Sequence, residues 1–343
     1  MRRDPRRGLT RAQRASLFAA TLLVALAVLA AECAASLVIG STWIPFDTVW
    51  SALTAPDGSP VHQTITALRV PRTVLAVLVG AAFAVAGALM QALTRNPLAD
   101  PGILGVNAGA GFAVTLGVAL LGVTRLEQYL AYAFVGAAVA ALAVYALAFR
   151  GGDGPTPLRM TLAGVALGAV LSGVSSTLAL LDVETFDRMR FWGVGTVADR
   201  PEGTVTTIAP YLLVGVVLAL LCARPLNMTG LGSELARTLG TRMWVTRTVV
   251  FVAVTVLCGA ATAAVGPLGF IGLMVPHAVR IITGPDQRLV LPLCLVGGPV
   301  LVLSADLLGR VMVSSELQVG VVTGLLGAPV LVVLARRSMA GAH

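Results

Sequence analysis

RVPRTVLAVLVGAAFAVAGALMQALTRNPLADPGILGVNAGAG, residues 69–111, is the stretch that decides the fold. Its apolar run, residues 73–93, carries no charge and is long enough to cross a membrane, which takes about 20 apolar residues in a helix. Arginines precede the run, and Arg95-Asn96-Pro97 ends it, because proline cannot continue the helical hydrogen-bond ladder. A second apolar run begins at Ile103. The stretch therefore predicts one membrane crossing, a turn and the start of another crossing.

The composition of the whole chain is that of an integral membrane protein. Hydrophobic residues make up 57% of the sequence and charged residues 12%, and the mean hydropathy is +0.90. Soluble domains are about 25% charged. All 24 basic residues are arginine. Because the phosphate-binding loop of P-loop ATPases requires a lysine, the chain cannot hydrolyse ATP by that route.

Other enzyme and binding classes find little support in the sequence. HExxH and GxSxG patterns are absent and the three histidines are scattered, which argues against an intramembrane enzyme. The cysteines lie in or beside apolar runs without CxxC spacing, as is typical of packing residues; they are Cys33, Cys222, Cys258 and Cys294. The isoelectric point near 10.3 could suggest nucleic acid, but the arginines sit in short segments between apolar runs. We therefore expect no metal and no nucleic acid.

Ten apolar runs predict an all-α membrane protein of about ten transmembrane helices. The runs are residues 17–39, 73–93, 103–123, 129–149, 160–181, 205–222, 246–265, 268–283, 289–307 and 319–335. A basic tail, residues 1–16, precedes them, and a short tail, residues 338–343, follows. A cleaved signal peptide is the competing interpretation of the first run. That run exceeds the usual 7–15 residues and contains Glu32, so a retained span is favoured.

The arginines predict the orientation of the chain. Ten crossings put both termini on one side, and alternating the segments leaves 17 arginines on that side; the other seven are Arg69, Arg72, Arg125, Arg188, Arg190, Arg200 and Arg310. By the positive-inside rule, both termini are cytoplasmic. Two outer segments are long: residues 40–68 carry Trp43 and Trp50, which suit an interfacial belt, and residues 182–204 contain a candidate helix over 184–192.

The long inner segment, residues 223–245, also has the marks of a short helix. Ser233 is a plausible N-cap, Glu234 lies in the first turn, where the helix dipole favours an acid, and Gly240 fits a left-handed C-terminal position. Leu235, Ala236 and Leu239 would form its apolar surface. Such a helix either lies flat on anionic lipid or docks into a groove of a cytoplasmic partner.

The segment GPLGFIGLMVPHAVR, residues 266–280, combines helix-packing and helix-breaking residues. Its glycines at 266, 269 and 272 allow helices to approach closely, and Pro276 predicts a kink. His277 is either a proton site or a hydrogen-bonded structural histidine, and the structural role is favoured.

Six motifs in order resemble the FecCD/BtuC-like permeases, the membrane subunits of type II ABC importers for iron chelates and cobalamin. They are RVPRT (69–73), GALMQALTRNPLADPGILGVNAGAG (87–111), LAGVALG (162–168), PLNM…LGSELARTLG (225–240), GPLGFIGLMVPHAVR (266–280) and GVVTGLLGAPV (320–330). The resemblance covers about residues 17–337. It implies the type II importer permease fold and a homo- or heterodimer of permeases. It also implies two cytoplasmic ATP-binding subunits that carry ATP and Mg, and an extracytoplasmic substrate-binding protein.

The resemblance also implies roles for individual residues. Those matching the ATPase-coupling loop are Leu226, Ser233, Glu234, Leu235, Ala236, Arg237, Leu239 and Gly240. Those matching the arginines that dock the binding protein are Arg69, Arg72 and Arg310, whose simpler alternative is to flank helix ends. Those matching the gate are Asn96 and Leu98, together with Pro157 and Leu158. The last two replace a Thr-Ser pair of the cobalamin permease, which argues weakly against cobalamin.

The expected function is therefore that of a permease subunit in a bacterial cytoplasmic membrane, moving a ferric siderophore inward with ATP hydrolysed by partner chains. Permeation of cobalamin or heme is the alternative within the family. A secondary transporter coupled to ions is a rival class, and it usually keeps ionisable groups near the midplane. Only Glu32 lies well inside a span. A third class is a purely structural or receptor subunit.

Overall fold

A computed structural model gives the structure of the chain and describes residues 10–40, 42–102, 105–149, 157–230, 238, 242–313 and 316–340. Within these ranges the regular structure is entirely helical. The helices are α1 (Arg11–Val38), α2 (Phe46–Thr54), α3 (Pro60–Gln63), α4 (Val70–Thr94), α5 (Val106–Leu121), α6 (Leu126–Phe149), α7 (Pro157–Leu181), α8 (Val183–Trp192), α9 (Thr204–Leu221), α10 (Ala223–Thr229), α11 (Met243–Val265), α12 (Ile271–Thr283), α13 (Gln287–Met312) and α14 (Val319–Ala340).

Each of the ten apolar runs in the sequence contains a helix. Seven helical segments of the described chain are long and apolar enough to cross a membrane, and three shorter apolar helices accompany them: Val106–Leu121, Ile271–Thr283 and Val319–Val333. The 13 residues of α12 span only about 20 Å, less than the roughly 30 Å of a hydrocarbon core. It begins at Ile271 rather than at the predicted 268, because Gly266 and Phe270 have positive φ, 80° and 68°. Non-helical backbone therefore lies beside α12.

Helix α4 is the centre of the bundle. In the most apolar 18-residue stretch of Pro60–Thr94, 78% is buried. The corresponding stretches of Ala15–Val38 and Arg159–Leu181 are 0% and 6% buried. Its most extensive packing is against α13. Small residues make this possible, since a Cβ on Gly80 would lie 2.7 Å from the Gly298 carbonyl oxygen. The bundle thus has one core helix, while α1 and α7 present most of their apolar surface outward.

Glycines also allow α12 to pack closely against α4. One of them, Gly272, is among the three glycines for which the sequence predicted close packing. A Cβ on Gly87 would overlap the backbone of Gly272. Gly269, by contrast, faces open space, so its small size is not needed for packing. Gly266 has a positive φ and lies against the Trp192 carbonyl. The three predicted glycines therefore differ in role: Gly272 allows close helix packing, Gly266 adopts a positive φ, and Gly269 does neither.

The turn between α4 and α5 folds back against the buried helices. Arg95 ends α4 in the left-handed conformation with φ 52°. The Leu98 amide donates to Asn96 Oδ1 at 2.9 Å, and the Gly102 amide donates to Asp100 Oδ1 at 2.7 Å. Asp100 is buried, and a Cβ on Gly272 would approach its other carboxylate oxygen. Side-chain hydrogen bonds thus satisfy irregular backbone inside the bundle.

The long outer segments are largely helical. Residues 40–68 contain α2 and α3, and a π-helical turn, Thr64–Arg69, leads straight into α4. Trp43 and Trp50 on this segment are exposed, as an interfacial position requires. The second outer segment contains α8, at the position of the helix predicted over 184–192.

Candidate functional site

An open cavity of about 530 Å³ lies between α5, α7 and α8. Its polar lining consists of Asn107, Thr115, Ser172, Ser175, Ser176 and Arg190. Aromatic and sulfur side chains supply much of the remainder, among them Phe112, Phe186, Met189 and Trp192. The cavity therefore offers hydroxyl groups, an amide and one cation on an otherwise apolar wall. Such a lining contacts a polar solute weakly and at many points.

The serines of α7 follow helical spacing. Ser172, Ser175 and Ser176 stand at i, i+3 and i+4 and therefore share one face. Ser175 Oγ donates to the Leu171 carbonyl at 2.8 Å, a local bond that satisfies the hydroxyl in an apolar setting. The rest of α7 is mostly exposed, as its low burial shows. One face of α7 thus lines the cavity; α6 packs against this helix as well, and much of its remaining surface is exposed.

Hydrogen bonds fix α8 and α5 against the buried helix α11. Trp192 Nε1 donates to the Ala263 carbonyl at 3.3 Å. Thr262 Oγ1 donates to Asn107 Oδ1 at 3.4 Å, and Thr115 Oγ1 donates to Met189 Sδ at 3.6 Å. The back wall of the cavity is therefore held rigidly, while the wall formed by α7 is not buried.

The segment between α8 and α9 closes this end of the bundle. The Thr196 amide donates to the Val265 carbonyl at 2.8 Å, and the Gly320 amide donates to the Gly195 carbonyl at 3.0 Å. Arg200 Nε donates to the Ala198 carbonyl at 3.0 Å. Burial lowers the pKa of the Arg200 guanidinium, and neighbouring Asp199 opposes that shift. The segment links the ends of α11 and α14 through its backbone.

The first of the three arginines predicted to dock a binding protein is buried. Arg69 Nη1 donates to the Leu37 and Val38 carbonyls, both at 2.7 Å, and Nη2 donates to the Thr42 carbonyl at 2.6 Å. A Cβ on Gly40 would lie 2.6 Å from Nη2, so a larger residue there would displace the guanidinium. Arg69 therefore satisfies the carbonyl oxygens at and just beyond the end of α1.

The other two arginines share one buried carboxylate, Asp306. Arg72 donates to Asp306 through Nε at 3.2 Å and Nη2 at 2.7 Å, and its Nη1 donates to Glu316 Oε2 at 2.9 Å. Arg310 Nη2 also donates to Asp306. Arg310 Nη1 donates to the Ser36 and Ile39 carbonyls at 2.8 Å. The arginines thus join the ends of α1, α4 and α13, and their docking role stays a prediction.

Exposure separates the members of this cluster. The side chains of Arg72 and Glu316 are 17% and 34% exposed, whereas those of Asp306 and Arg310 are 1% and 2% exposed. A partner that approaches this rim therefore meets Arg72 and Glu316 first. The four-residue spacing of Asp306 and Arg310 is a sequence signal for that pair, whereas nothing in the sequence indicated that Arg72 would bind Asp306 and Glu316.

The predicted gate residues lie at the other end of the cavity-forming helices. Asn96 and Leu98 form the side-chain-capped turn after α4, and both are partly buried. Pro157 and Leu158 begin α7, and their side chains lie outside the described part of the chain. The described gate residues do not line the 530 Å³ cavity. Their role stays a prediction.

Only one of the predicted coupling residues belongs to the described structure. Leu226 on α10 is buried in the core. Its neighbour Asn227 donates through Nδ2 to Asp286 at 2.5 Å, which joins α10 to the start of α13. The remaining coupling residues lie outside the described residues: Ser233, Glu234, Leu235, Ala236, Arg237, Leu239 and Gly240.

Glu32, the intramembrane carboxylate, has a hydrogen-bonding role. Its Oε1 accepts from Ser304 Oγ at 2.5 Å, which connects α1 to α13. Within the described residues, no group of three or more His, Cys, Asp or Glu side chains could hold a metal ion. The four cysteines are free thiols, and three of them are buried. Glu32 is therefore bound to α13 through one of its two carboxylate oxygens.

Sequence reasoning missed the serine face of α7, although a signal for it exists. Three serines at i, i+3 and i+4 within an apolar run mark a polar stripe, which on a membrane helix indicates a helix contact or an aqueous path. The bond between Arg72 and Asp306 carried no comparable signal, because these residues are 234 positions apart in the chain.

A buried central helix, broken helices beside it and an open polar cavity define a multi-pass membrane permease. The FecCD transport family model matches residues 23–337, and the chain belongs to this family. The ferric enterobactin transport system permease protein FepD of Escherichia coli K12 is 47% identical over 308 residues, covering 90% of this chain and 92% of that protein. The probable siderophore transport system permease protein YfiZ of Bacillus subtilis is 38% identical over 311 residues, with 90% and 93% covered.

A solved structure supports the same architecture. It is described as an inward-facing conformation of a metal-chelate type ABC transporter, and it is 26% identical with a TM-score of 0.78. The match covers 92% of this chain and 99% of that chain. The fold predicted from the sequence, that of a type II ABC importer permease, is therefore confirmed.

Proposed function

We propose that this chain is the permease subunit of an ATP-driven importer that moves a ferric siderophore into the cytoplasm. The observation that carries the proposal is the 47% identity, along 90% of the chain, to a permease named for ferric enterobactin. The lining of the 530 Å³ cavity is compatible with this cargo, because its hydroxyl groups and Arg190 suit a bulky, oxygen-rich and anionic chelate. Permeases for cobalamin and hemin also occur among the relatives and define the alternatives.

The cavity is suited to passage rather than to capture. Weak polar contacts spread over one helix face let a solute leave as easily as it arrives. Tight binding therefore belongs to a separate extracytoplasmic protein, and the driving force belongs to ATP and Mg on two cytoplasmic partner chains. This division of labour agrees with the absence of lysine from the sequence.

A second permease subunit completes the pathway. Helix α7 forms one wall of an open cavity, yet only 6% of its most apolar 18-residue stretch is buried. A second permease, identical or related, that packs beside α7 would enclose the cavity between the two chains. Both termini lie in the cytoplasm in this arrangement, since the excess of arginines falls on their side.

Coupling to the ATPases runs through the segment after α10. We expect replacement of Glu234 and Arg237 by alanine to lower the stimulation of ATPase activity by the binding protein, with membrane insertion unchanged. The matched control is Arg288→Ala, which removes an exposed arginine at the same end of the bundle. Full stimulation in the double variant would remove the coupling assignment.

The proposal is tested by reconstituted transport. The chain is purified with its ATPase, placed in liposomes with the cognate binding protein, and supplied with radio-iron complexes of a catecholate or a hydroxamate siderophore. Radiolabelled cobalamin and heme serve as competing cargo. Uptake that requires both ATP and the binding protein supports the proposal. Uptake driven by an ion gradient alone, or restricted to cobalamin or heme, contradicts it.

A further inference from the structure

A second cavity, of about 740 Å³, lies at the opposite end of the bundle from the arginine–Asp306 cluster. It is bounded by the first turns of α1, the end of α4, α10 and the connection from α12 to α13. Its lining combines apolar residues, including Leu17, Phe18 and Ile282, with polar residues, including Arg95, Arg280 and Gln287. The transport proposal makes no use of this cavity.

The apolar side of the cavity adjoins the surface that faces lipid. Helix α1 is among the most exposed apolar spans, since none of its most apolar 18-residue stretch is buried. Leu17 and Ile282 line the cavity and are themselves 42% and 41% exposed. A molecule in the cavity would therefore sit beside the hydrocarbon region, at the depth where α1 enters the membrane. A phospholipid has the polar head and apolar tails that this position requires.

The charges of the cavity favour an anion. Arg95 and Arg280 both line it, and Asp286 is its acidic residue. Asp286 is occupied by the protein, since its Oδ1 accepts from Asn227 Nδ2 at 2.5 Å and from the Arg288 amide at 3.0 Å. Arg280 donates to Gln91 and to the Ala88 carbonyl, which fixes its guanidinium at the wall. Arg95 is exposed and has no ion-pair partner within the described chain.

We propose that this cavity binds the headgroup of an anionic phospholipid such as phosphatidylglycerol. Its phosphate would interact with Arg95 and Arg280. The zwitterionic headgroup of phosphatidylcholine lacks the net negative charge. A lipid held here would join α1 to α10, the helix that leads into the predicted coupling segment. The inference concerns lipid binding and does not depend on which chelate is transported.

The test measures lipid retained by the purified protein. The full chain, alone and in complex with its ATPase, is mixed with phosphatidylglycerol or phosphatidylcholine of matched acyl chains, and bound lipid is counted by native mass spectrometry. We expect phosphatidylglycerol to bind preferentially in both preparations. Arg95→Gln should lower that preference about fivefold, the effect of removing one arginine near an anionic lipid headgroup. Arg288→Gln, which changes an exposed arginine outside the cavity, should leave it unchanged.

Three results would overturn the proposal. Equal retention of the two lipids would mean that the cavity has no headgroup preference. An equal loss in Arg95→Gln and Arg288→Gln would assign any preference to general surface charge. Loss of phosphatidylglycerol on addition of the ATPase would assign the cavity to the protein interface instead. Because Arg95 is exposed, we expect its variant to fold, and a failed transport assay would leave these readouts unaffected.

Discussion

Removing the carboxylate of Asp306 is the sharpest test of the arginine cluster. Asp306→Asn keeps the side-chain volume but leaves Arg310, whose side chain is 2% exposed, without its anion. Breaking a buried ion pair by removing one partner costs about 3–5 kcal/mol, because an uncompensated charge stays buried. Arg72 retains Glu316, 2.9 Å away, so the loss falls chiefly on Arg310. We therefore expect the free energy of unfolding to drop by about 3 kcal/mol or more.

The assay is unfolding of the purified chain in mixed micelles, followed by tryptophan fluorescence as the denaturing detergent is increased. The matched control is Asp187→Asn, which also breaks an aspartate–arginine pair within one helix, but with side chains 58% and 48% exposed. Exposed pairs contribute about 0–1 kcal/mol. If the two variants differ by less than about 1 kcal/mol, the argument from burial is wrong. Pairing Asp306→Leu with Arg310→Met should recover much of the loss, because a neutral pair leaves no unpaired cation.

Three further predictions concern packing, transport class and docking. Gly87→Ala should destabilise the chain by about 1–3 kcal/mol, because its Cβ overlaps the Gly272 backbone; Gly269→Ala, which faces open space, should change the same unfolding curve little, and equal effects would refute the packing argument. Glu32→Gln should retain ATP-dependent uptake, since an amide can still accept from Ser304; abolished uptake with intact assembly would favour the ion-coupled class. Arg72→Glu should weaken binding of the substrate-binding protein to proteoliposomes, with Arg125→Glu, an exposed arginine outside the cluster, as control; unaltered binding would leave Arg72 a purely internal residue.

The helical framework could be predicted because it depends on local sequence. Uncharged runs of sufficient length locate the main helices, and proline and glycine locate several of their ends. The helix α8 was predicted as a short, charged helix over 184–192 in the outer segment between two apolar runs. The outer segment, residues 40–68, was predicted only as a loop with interfacial tryptophans, although α2, α3 and a π-helical turn fill most of it. Their short, mixed sequences carry no strong periodicity, and packing against the ends of α1 and α4 stabilises them.

The sites could be predicted only in part. The arginines were identified from a motif, and the motif gave no indication that they are satisfied inside the chain. Leu226 was assigned to coupling, and the structure places it in the core, with the neighbouring Asn227 bound to Asp286. The serine face of α7 was available from spacing alone, but its meaning depends on α5 and α8 lying opposite. A residue list without distances cannot distinguish a lining residue from a packing residue.

By itself, the sequence determined that this protein lies in the membrane, where its helices run and to which family it belongs. These properties follow from the free energy of transferring each apolar run into lipid and from motifs read in order along the chain. Only the tertiary structure decided which helix is central, which face of α7 lines the cavity and which acid neutralises Arg72. The physical reason is that such contacts join residues more than 200 positions apart, as Arg72 and Asp306 are. Their free energy depends on distance and burial, which exist only once the helices have packed.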